Sequence, residues 1–312
     1  MCLYAKSRSR KGFGINMKKI FKKIGWTLLC FLPVIVSIVV QLIMGIVLGI
    51  ILNVMGMMEL GGAYDPNDAT MYQQLLNYVT EKSLQYSGML IFAYHIIALL
   101  GFGLWYYLGC SRPKITNPIK TFRGKCLPTV VIFAFGLCLF ANAFVLVGQY
   151  VAPSAIEAYM ELMESAGMGT DVFTILASVL LAPIGEEILC RGLTYHYAKK
   201  VVECMNNRRV AFWIANCLQA LGFGIMHMNL IQGLYAFVLG LGIGWLRERY
   251  NSLYPAMLAH FVVNFSSTYI VGYLLAPLPE SFASSLLVLA VSIVLCAIGL
   301  FLGKKEKVAE AA

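Results

Sequence analysis

The 312-residue sequence predicts an all-α, polytopic integral membrane protein of about eight transmembrane helices with both termini in the cytoplasm. Its residues are 60% hydrophobic and only 12% charged, with a mean hydropathy of +0.76, whereas water-soluble domains carry about 25% charged residues. Apolar runs long enough to cross about 30 Å of hydrocarbon as helices recur along the whole chain. Positive charge is gathered on one set of alternating connections, as expected of a chain oriented in a membrane.

The first run, 26–54, follows a basic arm and is far longer than the roughly 7 to 15 residue core of a signal peptide, so it reads as a retained span. Within that arm "MKKIFKKIG", from Met17, has the form of a more usual start than "MCLYAKSRSRKGFGIN", and residues 1–16 read as an over-extended start. Further runs lie at 88–110, 127–151 and 172–198, then two short ones at 210–227 and 230–246, then 252–274 and 282–303. After the turn signals of "GGAYDPND", Met71, Leu75, Leu76, Val79 and Leu84 predict an amphipathic helix lying on the outer surface. "SAIEAYMELMESAG" predicts a similar connector before the fourth run. The chain divides into a basic cytoplasmic arm (1–25), N-terminal transmembrane helices with amphipathic outer loops (26–171), a core rich in intramembrane polar residues (172–274), and a last transmembrane helix with cytoplasmic tail (275–312).

The net charge of +9 does not call for nucleic acid. Of 24 Lys and Arg, 22 fall in the arm, in 111–126, 199–209 and 247–251, and in the tail, all on one side of an eight-span topology. The opposite connections hold Glu59, Asp65, Asp68, Glu81, Glu157, Glu161, Glu164, Asp171 and Glu280, with Lys82 as their one cation. This asymmetry puts both termini inside a multi-pass plasma-membrane protein, the inner membrane in a Gram-negative cell, and makes the lipid bilayer its partner. Nine scattered cysteines without a CxxC pair read as small apolar residues or free thiols.

Against that background "LAPIGEEILCRG", residues 181–192, stands out, because a charge at membrane depth costs about 2.5 to 3.5 kcal/mol on insertion scales. Glu187 and Arg191 are four apart, on one helix face, in the favourable acid-before-base order. Glu186 is turned about 100° from that face and is left available. Pro183 just upstream frees backbone carbonyls and bends the helix, which is tolerated beside a cavity. Phe223 precedes His227 by four, and His260 precedes Asn264 by four, so two further spans present polar groups at helical spacing. A Glu, two His and an Asn on different helices can activate a water, hold its proton and stabilise an oxyanion. Of the other histidines, His95 reads as a helix-packing hydrogen bonder and His196 as interfacial.

Glu186, Glu187 and Arg191 match E-E-x-x-x-R, Phe223 and His227 match F-x-x-x-H, and His260 and Asn264 match H-x-x-x-N, in that order. The sequence over roughly 170–270 therefore resembles the CPBP family of intramembrane proteases, which includes type II CAAX prenyl endopeptidases, the Abi group and proteins like lysostaphin-resistance protein A. The resemblance makes 172–274 the catalytic core and implies peptide-bond hydrolysis in a membrane cavity. Glu186 would activate water with help from His227, His260 and Asn264 would hold the oxyanion, and Glu187 and Arg191, with Phe223, would organise the site. The family has been described both as metalloproteases and as metal-independent glutamate-type hydrolases. Zinc on Glu186, His227 and His260 is chemically possible. HExxH is absent, however, and a direct, metal-independent role for Glu186 is preferred. The expected substrate is a membrane-associated or lipidated peptide or protein.

Other function classes remain in view. A proton- or cation-coupled transporter would use the intramembrane carboxylates, although no internal repeat is visible. A non-catalytic bacteriocin-immunity protein would keep the constellation as a vestige. The position of His227 at the end of a short run also sets a geometric requirement. To meet Glu186 and His260, the fifth and sixth helices must tilt or the "HMNLIQG" turn must sink inward.

Overall fold

The computed structural model describes residues 17–60, 65, 67–110, 117–122, 124–165 and 171–305, and among these it is all-α. The over-extension expected at residues 1–16 and the end of the tail lie outside the described residues. Besides the single turn Pro118–Thr121, the helices are α1 (Met17–Glu59), α2 (Ala69–Gly109), α3 (Cys126–Val151), α4 (Pro153–Ser165), α5 (Val172–Val201), α6 (Arg208–Ile225), α7 (Leu230–Tyr250), α8 (Tyr254–Tyr269), α9 (Val271–Leu275) and α10 (Phe282–Lys305). All eight apolar runs are helical. Six of the helices, α1, α2, α3, α5, α7 and α10, are long and apolar enough to cross a membrane. The helices of the fifth and seventh runs, α6 and α8, are not among them.

The outer amphipathic segment departs from expectation. Residues 71–84 form no separate surface helix but are the first part of the 41-residue α2, because no proline interrupts the chain between them and the second apolar run. At about 1.5 Å per residue, α2 is roughly 60 Å long. It pairs with the 43-residue α1, where a Cβ on Gly56 would meet Leu75 and Tyr78 of α2. The connector before the fourth span does form its own helix, α4.

Polar residues at the boundaries start these helices. Asp68, Asp171, Asn207 and Asn229 accept backbone N–H groups at the N-termini of α2, α5, α6 and α7. Such caps contribute about 1 kcal/mol each. The Thr174 hydroxyl and the N–H groups of Thr174 and Phe173 hold the Asp171 carboxyl below its usual range, so that cap is charged at neutral pH. Asn251, in the left-handed region at φ 46°, ends α7, and Pro255 opens α8 in its first turn.

Three buried clusters organise the bundle: a small one joins α1, α5 and α6 around Cys30, Tyr195, Ala198 and Ala215, and two are larger. One joins α3, α7 and α8 around Phe133, Leu137, Ile243, Leu246 and Ala259, with α10 packed along α3. The other joins α1, α2, α5, α6 and α7 around Val34, Phe102, Leu189, Leu193, Phe223 and Ala236. Outside these clusters the helices expose apolar side chains, and only 11% of the most apolar window of α1 is buried. Such a surface suits hydrocarbon.

Helices α6 and α7 approach through small residues, as helices do where lipid supplies no hydrophobic drive. A Cβ on Gly224 would stand 2.6 Å from the Gly233 carbonyl oxygen, and one on Gly240 would stand 3.0 Å from Ala220. Gly224→Ala therefore pushes two backbones apart beside His227. We expect a loss of about 1 to 3 kcal/mol, read as a lower midpoint of thermal unfolding in detergent.

Candidate active site

Helix α5 carries the acidic pair, and its backbone is irregular. Two π-helical stretches, Leu176–Leu181 and Ile188–Thr194, flank the α-helical turn Ala182–Glu187. π-Helical segments are rare and gather at functional sites. The first has a local cause. The Ala182 N–H reaches back five residues to the Ala177 carbonyl, and the next residue, Pro183, has no N–H to give to the Ser178 carbonyl. Asn264 Nδ2 on α8 donates to that oxygen instead, at 2.8 Å. Asn264 is thus tied to the irregular helix as well as lying one turn from His260. Replacing it with alanine orphans the Ser178 carbonyl at a cost of about 1 to 3 kcal/mol. Asn264→Asp sets carboxylate oxygen against carbonyl oxygen, and its unfolding midpoint should fall below that of Asn264→Ala.

The two carboxylates occupy unlike settings. Glu187 is fully buried, and its Oε1 accepts from Arg191 Nη1 at 2.6 Å and from His260 Nδ1 at 2.8 Å. Arg191, also fully buried, donates from Nη2 to the Gly240 carbonyl of α7 at 3.3 Å and lies 4.4 Å over the Phe223 ring. Glu186 keeps 15% of its side chain exposed and makes no hydrogen bond to a described residue. Its Oε2 stands 3.9 Å from His260 Nε2. The separation of roles expected from the 100° rotation between neighbours is therefore present: one carboxylate bonded into the scaffold, the other free.

Hydrogen bonds also fix the tautomers. The Phe223 carbonyl only accepts, so His227 Nδ1, 2.7 Å from it, carries a proton and leaves Nε2 free. His260 likewise directs Nδ1–H at Glu187 and Nε2 towards Glu186. The Phe223 ring packs edge-on against both imidazoles, at 4.9 Å from His227 and 5.6 Å from His260. Through Phe223 the end of α6, which carries His227, packs against His260 of α8. The turn that follows places Met228 in the left-handed region at φ 52°, unusual for a residue with a side chain.

Glu186, Glu187, Arg191, Phe223, His227 and His260 thus come together, with Asn264 one turn away on Ser178. The sequence reading passed over Asn216 and Gln219, both fully buried. Gln219 Nε2 donates to Asn216 Oδ1 at 2.7 Å and to the Gly240 carbonyl at 2.9 Å, the same oxygen that Arg191 reaches. Two amides three apart inside an apolar helix were the available signal. Among the described residues, no group of three or more His, Cys, Asp or Glu is placed to hold a metal ion. A catalytic zinc takes three protein ligands from such a group.

Residues 168–266, which contain every one of these groups, match the family model described as type II CAAX prenyl endopeptidase Rce1-like. No curated protein and no solved structure matches the chain.

Proposed function

We propose, from the match of residues 168–266 to the Rce1-like type II CAAX prenyl endopeptidase family model, that this multi-pass membrane protein is an intramembrane endopeptidase in which Glu186 activates the attacking water. The observation that carries the proposal is the contrast between adjacent carboxylates. Glu187 is closed into an ion pair, while Glu186 is open and faces the Nε2 of His260. A general base must be free to take a proton, with an acceptor or donor close by to manage the rest of the water.

In this reading Glu186 accepts one proton of the water, and the lone pair on His227 Nε2 orients the other. His260, held by Glu187 through Nδ1, turns its Nε2–H to the oxyanion when it carries both protons, and Glu187 supplies the compensating charge. The second N–H of the Asn264 amide is the other candidate donor. Arg191 and Phe223 keep Glu187 and both imidazoles in place. The reaction runs on these side chains directly, without zinc, a choice that rests on the absence of HExxH and on the fitness of Glu186 to act as a base itself. The substrate is a membrane-associated or lipidated peptide segment that reaches the site from the bilayer, and the plasma membrane is the expected location.

The test is cleavage of a pool of prenylated and membrane-segment peptides by purified protein, with chelator and with zinc restored. Cleavage that survives the chelator supports the glutamate mechanism. Cleavage lost in chelator and regained with zinc supports a metal enzyme instead. If no peptide is cleaved but Glu186-dependent ion flux appears in vesicles, the protein is a transporter.

A further inference from the structure

The seam between α6 and α7 is hollowed on its outer side. A groove of about 570 Å³ lies there, lined on α6 by Arg209, Val210, Trp213, Cys217 and Leu221 and walled from α7 by Phe237. Ligand sites have volumes of about 300 to 1,000 Å³. Val210, Trp213, Cys217 and Leu221 are exposed, so in a bilayer the groove opens to hydrocarbon. Among the described residues that line it, Arg209 alone carries a charge, and it stands at one end. Leu221 is twelve residues from Arg209, about 18 Å along the helix. One leaflet of a 30 Å hydrocarbon core is roughly 15 Å deep, so the groove has the reach of a single acyl chain. Trp213, one turn in from Arg209, has the place of the tryptophans that gather at membrane surfaces.

The mouth of the groove is positive and uncompensated. Arg208 and Arg209 are both exposed, and neither forms an ion pair with a described residue. They open the 18-residue α6, whose dipole adds to their charge. The described acids at this end of the bundle are engaged elsewhere, Glu203 with Lys200 and Glu248 with Lys199 and Tyr195. A second copy of the chain packed here in the same orientation would bring no free described acid to these arginines. A phospholipid brings an apolar chain and a negative phosphate in one molecule.

We infer that the groove binds an anionic phospholipid of the leaflet at that end, its acyl chain along Trp213, Cys217, Leu221 and Phe237 and its headgroup on Arg208 and Arg209. The groove stops two residues short of Phe223, and Phe237 lies 3.6 Å from where a Cβ of Gly224 would stand. A chain in the groove thus braces the lipid side of the helix whose other face carries Phe223 and His227. Binding is independent of the reaction at Glu186, and its test needs no substrate.

The test reads Trp213 fluorescence in the full protein, reconstituted in vesicles of phosphatidylcholine with a fixed fraction of phosphatidylglycerol, with bromine on the chains of one lipid or the other. Bromine quenches an indole that it touches, and Trp213→Phe identifies the part of the signal that belongs to Trp213. Brominated phosphatidylglycerol should be preferred over phosphatidylcholine on the order of 5-fold for each arginine. Arg208→Gln with Arg209→Gln should remove the preference. Cys217→Phe, which keeps both charges but fills the groove, should remove it too, and unfolding midpoints in detergent confirm that each variant is folded. Equal quenching by the two lipids in the parent protein overturns the proposal and makes the groove ordinary lipid-facing surface. Quenching by neither lipid means that protein covers the groove, and overturns it as well. A preference that persists in Cys217→Phe overturns the groove as the seat of the chain, and one that persists in the arginine double variant overturns the headgroup anchor.

Discussion

Glu186→Gln should reduce peptide cleavage on the order of 10²- to 10⁴-fold while leaving the unfolding midpoint of the protein nearly unchanged. The amide has the same shape but cannot take a proton from water. Its effect on stability is small because Glu186 makes no hydrogen bond to a described residue and keeps contact with the open side of the site. Substrate affinity should also persist, so the loss falls on kcat. A structural role would give the opposite pattern, with activity and unfolding midpoint falling together.

One residue further on, the expectation reverses. Arg191→Met leaves the Glu187 carboxylate at 0% exposure with only His260 beside it, and breaking a buried pair by removing one partner costs about 3 to 5 kcal/mol. It also strips the Phe223 ring of its cation and the Gly240 carbonyl of one donor. We expect a large fall in unfolding midpoint and, because His260 is oriented through Glu187, a loss of activity as well. The double variant Glu187→Gln with Arg191→Met removes both charges and should recover a large part of the stability but little of the activity, since a neutral amide in place of the carboxylate cannot compensate a charged His260. Thermal unfolding and cleavage measured on the same preparations separate these effects.

Particular residues explain how much of this was legible in the sequence. All eight apolar runs became helices, because length and apolarity dictate helix in lipid. The pairs Glu187 with Arg191, Phe223 with His227 and His260 with Asn264 were readable from i,i+4 spacing, and the resemblance to a known family joined them with Glu186 into one site. The continuity of α2 was missed because turn signals and amphipathicity suggested a break where the backbone has no reason to stop. The Asn264 amide reaches the Ser178 carbonyl from 86 positions away, a contact that no local pattern encodes. The Asn264 amide appeared wholly available to an oxyanion until its bond to the Ser178 carbonyl was seen.

Hydrolysis by a water that Glu186 activates is the central claim, and peptide cleavage in ¹⁸O-labelled water, followed by mass spectrometry, tests it most directly. The account predicts one ¹⁸O atom in the new carboxylate of the N-terminal product with the parent protein, and no such product with Glu186→Gln. Labelled product formed equally well by Glu186→Gln would contradict it and leave the carboxylate as a structural group of α5.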